Sequence, residues 1–157
     1  MQEKRIVQID LTNTNHGEAL INLMDDYMAD EMGIGEAMPE GLAPKIIKGL
    51  AKHTAYIGFF VCVGDEYAAL ANCNLNYSTW EAKPVINIHD FIVSPQLRRQ
   101  GIGMFLLKQI EAYAKEKGYC RINLEVRQDN HIARKLYKKA GFRECEPPNY
   151  FWEKKFE

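Results

Sequence analysis

The apolar and polar positions of the chain change period several times. Arg5 to Ile9 alternates and predicts a short first strand, after which Thr14 and Asn15 offer helix caps. Leu20, Leu23, Met24, Tyr27 and Met28 then recur at helical spacing, so a helix is expected from Gly17 to about Glu31, closed by Met32-Gly33-Ile34-Gly35. A shorter helix fits between Pro39 and Lys52, with Leu42, Ile46, Ile47 and Leu50 apolar. From Ala55 to Val63 the residues are β-branched and aromatic, Gly64-Asp65 supplies a turn, and Tyr67 to Tyr77 continues in the same style, which is a hairpin. Pro84 to Val93 reads as another strand. Gly103 to Lys117 reads as a helix packing through Leu106, Leu107, Ile110 and Ala114 and stopped by Gly118. Arg121 to Arg127 alternates again. Asn130 caps a last helix with Ile132, Ala133, Leu136, Tyr137 and Ala140 along one face and Gly141 at its end, and Pro147-Pro148 precedes an aromatic strand from Tyr150 to Phe156.

The expected order is thus β-α-α-β-β-β-α-β-α-β-β. Antiparallel hairpins come first and a β-α-β crossover later, which calls for an α/β (α+β) fold with a mixed sheet covered by helices. With 157 residues and no repeat, low-complexity segment or dividing linker, residues 1–157 are expected to form a single domain. Net charge is −1 with 26% charged and 46% hydrophobic residues, which disfavours disorder and wholesale nucleic-acid binding. The four cysteines, Cys62, Cys73, Cys120 and Cys145, have neither CxxC nor Cys/His spacing, so no metal site is expected and a reducing cytoplasm fits. The N-terminal residues lack the apolar core of a signal peptide, and no run approaches the roughly 20 apolar residues of a membrane span. A protein without a membrane partner is expected.

The candidate chemistry begins at Val93 to Gly103, VSPQLRRQGIG. A glycine pair between a strand and a helix lets backbone N–H groups converge on an anion, with the helix dipole adding to them. A Walker loop would need Lys and Ser/Thr at the helix start, where Met104-Phe105-Leu106 stands instead. The dinucleotide fingerprint would need a third glycine where Leu106 sits. An ordinary glycine-containing turn is the bland alternative, and it leaves the two arginines unexplained.

The form R-x-x-G-x-G, Arg98-Arg99-Gln100-Gly101-Ile102-Gly103, preceded by Val93-Ser94-Pro95, resembles the acyl-CoA-binding motif of the GNAT superfamily of N-acyltransferases. Asn130-x-x-Ala133-x-x-Leu136-Tyr137-x-x-x-Gly141-Phe142 resembles that family's second signature, so the likeness runs from about Ile86 to Phe142. The resemblance implies a mostly antiparallel, splayed sheet of six to seven strands covered by about four helices. It implies acetyl-CoA as co-substrate, with the pyrophosphate on backbone N–H groups from Arg99 through Gln100, Gly101, Ile102 and Gly103 to Met104. Arg98 and Arg99 would add charge-assisted contacts. Phe91, Ile92 and Val93 would hydrogen-bond the pantetheine arm as an added strand, one of their N–H groups polarising the carbonyl, and Asn130 and Ala133 complete the expected cofactor set. The basic cluster Arg127, Arg134, Lys135, Lys138 and Lys139 is explained by an adenosine 3′-phosphate and a solvated helix face, without nucleic acid.

Acyl transfer to an amine needs a neutral amine, a positioned and polarised carbonyl, and a proton for the leaving thiolate. Tyr137 falls where the family places the acid that protonates the thiolate; a core tyrosine is the alternative. Where many relatives read Glu-Asp-aromatic-x-Val, this chain reads His89-Asp90-Phe91-Ile92-Val93, so imidazole replaces the glutamate as a candidate base. Alternation puts Asp90 on one face with Ile86, Ile88 and Ile92, a costly place for a carboxylate unless a β-bulge turns it or a partner satisfies it. Asp90 is either the partner of His89 in a catalytic pair or a structural carboxylate. Asp25, Asp26, Asp30, Glu31 and Glu36 crowd the early helices, which suits a small cationic amine as acceptor; a solvated acidic helix face is the commoner alternative. The strand IHDFIV is also similar to that of diamine and polyamine acetyltransferases. The rival functions are acetylation of protein N-termini or lysines, and a non-catalytic acyl-CoA sensor. A homodimer is a further expectation by family analogy.

Overall fold

A computed structural model describes residues 3–157. Its elements run β1 (Lys4–Gln8), α1 (Thr14–Ala29), α2 (Leu42–Lys52), β2 (Tyr56–Val63), β3 (Glu66–Ser78), β4 (Lys83–Val93), α3 (Ile102–Glu116), β5 (Arg121–Leu124) and α4 (His131–Lys139), with a 3-10 turn at Pro95–Leu97. The expected helices are all present, with small shifts at their ends. Asn13, one residue before the expected caps, accepts the N–H of Asn15 at 3.0 Å and starts α1. Asn130 accepts the N–H of Ala133 at 3.1 Å and starts α4 as expected.

The five strands form one sheet in the order β1-β2-β3-β4-β5, antiparallel except for the parallel pair β4 and β5 that the crossover through α3 produces. Helices cover both faces. Phe59 and Val61 of β2 point toward α3, where Ile102, Leu106 and Ile110 are buried, while Phe60 and Cys62 point toward Leu20 and Leu23 of α1. That two-sided burial is why β2 reads as a nearly unbroken apolar run. Each fully buried Leu, Ile or Phe contributes about 1.5–3 kcal/mol by leaving water.

Two expectations about the sheet are corrected. The strand expected over Arg121 to Arg127 stops at Leu124, because β5 pairs with β4 only from Val85↔Arg121 to Ile88↔Leu124 and then leaves it. No strand forms from Tyr150 to Phe156, so the described sheet has five strands and not six or seven. Tyr150, Phe151, Trp152 and Phe156 are all exposed, Trp152 by 86%. Aromatic residues favour a strand only where a neighbouring strand and a buried face receive them, and this segment meets neither.

Candidate active site

The site is organised by an irregularity in β4. The pairing with β3 passes from Asn72↔Asp90 to Cys73↔Ile88, which leaves His89 as an extra residue in a β-bulge. The bulge exchanges the faces of the strand. Ile86 and Ile88 pack toward α3, but Ile92 packs toward α1, and Phe91 and Val93 take over the α3 side. The uninterrupted alternation that placed Asp90 with all three isoleucines is therefore corrected. Asp90 lies on the α1 side, where Nδ2 of Asn72 donates to its Oδ2 at 3.0 Å. His89 is exposed.

Beyond the bulge, β4 is open on one edge. Ser94 N–H donates to Ala68 O at 2.9 Å, so the backbone groups of Ile92, two residues earlier, are also directed at β3. Those of Phe91 and Val93 point the other way, and β5 has already ended level with Ile88. Of the expected backbone contacts to a pantetheine arm, Phe91 and Val93 thus offer free N–H groups, whereas that of Ile92 serves the sheet. Arg98 Nε donates to Val93 O at 3.2 Å.

The open edge runs into the start of α3. Gly101 occupies the N-cap position at φ 74, a left-handed conformation that glycine adopts without strain, and no side chain caps the helix. Phe105 is the first residue of α3 whose N–H finds an acceptor, Gly101 O at 3.0 Å, so those of Ile102, Gly103 and Met104 are free of helical partners. A Cβ on Gly103 would stand 3.1 Å from Leu136 and 3.5 Å from Phe91 and Val93, so this glycine lets α3 approach both α4 and β4. Arg99 has φ 63 and is exposed, and Gln100 O accepts Lys4 Nζ at 2.8 Å. An uncapped helix start next to free strand N–H groups suits a ligand with an anionic pyrophosphate and an amide-bearing arm.

Tyr137 is 8% exposed and stands beside this edge, its ring edge-on to Phe91 at 5.9 Å and to Phe142 at 5.8 Å. Burial, and to a smaller extent Tyr27, pushes its phenol up to about 12. Its hydroxyl has no hydrogen-bond partner among the described residues. Every buried side-chain N or O among them is paired, so this oxygen keeps contact with solvent. Tyr27, on the apolar face of α1, links the two sides of the site: burial raises its phenol, and the negative charges of Asp90 and then Asp30 raise it further. Asn130 and Ala133 sit at the start of α4, the first as its cap and the second against the α3-side core.

Several charges prove to have structural work. Arg98 pairs with Asp30 at 2.8 Å as well as with Val93 O, and so braces the loop against the end of α1. The N–H of Met32, and then Arg98, holds the Asp30 carboxyl below the usual carboxylate range. Asp25 accepts the N–H of Met38 at 2.6 Å. Of the five acidic residues expected to face an acceptor, Asp26, Glu31 and Glu36 are exposed with their carboxylates uncommitted among the described residues. In the basic cluster, Arg127 pairs with Asp129, and Arg134 and Lys138 with Glu144. Asn72 and Tyr27 were legible only as strand and helix residues, since both act through partners distant in sequence.

A mixed sheet opened at one strand, with free backbone donors leading to an uncapped helix and a phenol beside them, is the arrangement expected of an acyl-CoA-dependent N-acyltransferase. The chain belongs to the acetyltransferase (GNAT) family, whose model matches residues 20–142. It is 37% identical over 91 residues to an uncharacterised N-acetyltransferase of Methanocaldococcus jannaschii, covering 57% of this chain and 40% of that one. It is 29% identical over 128 residues to a thialysine N-epsilon-acetyltransferase of Caenorhabditis elegans, covering 82% and 78%. The fold matches the crystal structure of a probable acetyltransferase at a TM-score of 0.83, with 24% identity over 98% of this chain and 99% of that one. It also matches an aminoglycoside N-acetyltransferase in complex with CoA at a TM-score of 0.76, with 18% identity over 99% and 97%. No helix among the described residues is long and apolar enough to cross a membrane.

Proposed function

We propose that this protein transfers an acetyl group from acetyl-CoA to the primary amine of a small cationic metabolite, by direct attack while both substrates are bound. The observation that carries the reading is the open edge of β4 at Phe91 and Val93, running into the uncapped start of α3 with Tyr137 beside it. Free N–H groups of Ile102, Gly103 and Met104 would hold the pyrophosphate, and Arg99 would lie over it. Arg98 reaches the site through its brace to Asp30. The Phe91 or Val93 N–H would polarise the thioester carbonyl, and Tyr137 would hand its proton to the sulfur that leaves.

On the α1 side, Asp90 would receive the incoming ammonium and take its proton, directly or through water. One of its oxygens is fixed on Asn72 and the other has no partner among the described residues. His89, exposed at the bulge, would pass that proton to solvent. Asp26, Glu31 and Glu36 support a cationic acceptor by their charge. A thialysine acetyltransferase and an aminoglycoside acetyltransferase among the similar proteins both take amines of that kind.

The test is release of free CoA thiol from acetyl-CoA in a panel of thialysine, polyamines, an aminoglycoside, and peptides with free N-termini or lysines. Turnover with one of the small amines, together with thermal stabilisation by CoA, is expected. Stabilisation by CoA without turnover on any acceptor would favour the sensor, turnover only on peptides would move the acceptor class, and no stabilisation would remove the cofactor reading itself.

A further inference from the structure

The cofactor cleft makes no use of a polar cluster buried on the α1 side of the sheet. Asn72 stands in the middle of β3 and is 5% exposed, close to Met24 of α1. An amide in that position is costly unless its groups are all bonded, and here they are. Tyr56 Oη donates to Asn72 Oδ1 at 2.9 Å, and Asn72 Nδ2 donates to Asp90 Oδ2 at 3.0 Å and faces Met24 Sδ at 3.5 Å.

The direction of this chain is fixed at its far end. Burial raises the Tyr56 phenol well above its ordinary value, so it remains a donor throughout the working range. A donor there demands the amide oxygen, which leaves the amide nitrogen facing Asp90. Turning the amide over would set N–H against O–H at one end and oxygen against carboxylate at the other. Gly58, the register partner of Asn72, makes the arrangement possible, because a Cβ at that position would collide with the Tyr56 hydroxyl. The bulge supplies the remaining step by placing Asp90 opposite Asn72.

Asp90 Oδ1 has no partner among the described residues. Since no buried side-chain oxygen among them is unpaired, Oδ1 is reached by solvent. We propose that Asn72 is the positioning residue for Asp90: it binds one carboxylate oxygen and leaves the other free for the incoming amine, with Tyr56 locking the amide. This rests on the reading of Asp90 as proton acceptor. The titratable groups around Asp90 are Tyr27 from α1, Tyr56 from β2, Cys73 from β3 and His89 beside it on β4. Burial pushes the Cys73 thiol up to about 12, and both phenols are raised, so none of these three changes charge between about pH 5 and 9.

The test measures initial rates of the whole protein with acetyl-CoA and the best amine of the panel. Asn72→Leu is expected to lower kcat/KM for the amine by about tenfold or more, because a hydrogen bond to a charged group that orients it is lost, while the KM for acetyl-CoA stays within twofold. Tyr56→Phe, nearly isosteric, should lower it in the same direction by less, and it decides the matter if Asn72→Leu does not fold. An unchanged kcat/KM for the amine in either folded variant would overturn the positioning role, even if Asp90→Asn is inactive. Full activity of Asp90→Asn would instead overturn the proton-acceptor reading and this inference with it.

Discussion

Tyr137→Phe removes one atom from the site and leaves its packing in place. The ring is held edge-on by Phe91 and Phe142, and the hydroxyl bonds to nothing among the described residues, so folding stability should change by no more than about 0.5 kcal/mol. If the phenol protonates the leaving thiolate, its loss removes a term made only in the transition state. A general acid of this kind contributes typically 10²-fold or more, so kcat should fall at least about a hundredfold, or about 2.7 kcal/mol at 1.36 kcal/mol per tenfold. Thermal stabilisation by CoA should be the same in both proteins, because the backbone donors of β4 and α3 are untouched. With the phenol at about 12, the acid stays protonated across the neutral range, and activity that depends on it is lost only as pH rises toward that value. The assay is initial-rate thiol release at saturating substrates. A rate within twofold of wild type at matched stability would refute the acid role, and a basic limb near pH 8 that disappears in Tyr137→Phe would refute the raised phenol.

Four further outcomes are expected. Leu106→Ala, at a fully buried position of α3, should cost about 2–5 kcal/mol in denaturant unfolding, since a packed interior does not close around the lost atoms. Gly101→Ala should destabilise by about 1–2 kcal/mol through its left-handed backbone alone, because the nearest atom to the new Cβ, Lys4 Nζ, is 3.7 Å away. In Gly103→Ala the tight contact with Leu136 opposes the gain in helix propensity, so its stability should change less. Asp30→Asn should weaken the protein at pH 7 by up to about 1 kcal/mol by breaking the pair with Arg98. The carboxyl is depressed in the folded protein, so its contribution is present above the ordinary carboxylate pKa and is lost as pH falls through the folded value. The stabilities of wild type and variant should therefore converge as pH falls below the ordinary carboxylate range.

What the sequence showed and what it hid divide along one physical line. Elements whose cause is local were legible: the Asn130 cap, the apolar stripe of α3, the glycine that turns the chain into it, and the hairpin around Gly64. Features that depend on a distant partner were not. The ion pair of Arg98 with Asp30, 68 residues earlier, leaves no mark in the loop sequence around it. The segment Tyr150 to Phe156 has strand composition, but composition supplies no neighbouring strand.

The bulge at His89 is the most instructive case. Alternation reports faces only while the ladder is regular, and one extra residue inverts every face beyond it. The inversion made the simple reading of Asp90 fail, and it also resolves the difficulty that reading raised. A carboxylate bound for a row of isoleucines is turned to the opposite side, where Asn72 waits in register, held by the Tyr56 hydroxyl. The same turn puts Phe91 on the Tyr137 side of the sheet. Were His89 instead paired in a regular ladder, Asp90 would fall on the α3 face and Phe91 on the α1 face, separating the carboxylate from Asn72 and the phenol from its packing in one step. The irregularity that interrupts the hydrophobic pattern is therefore what assembles the two halves of the proposed site.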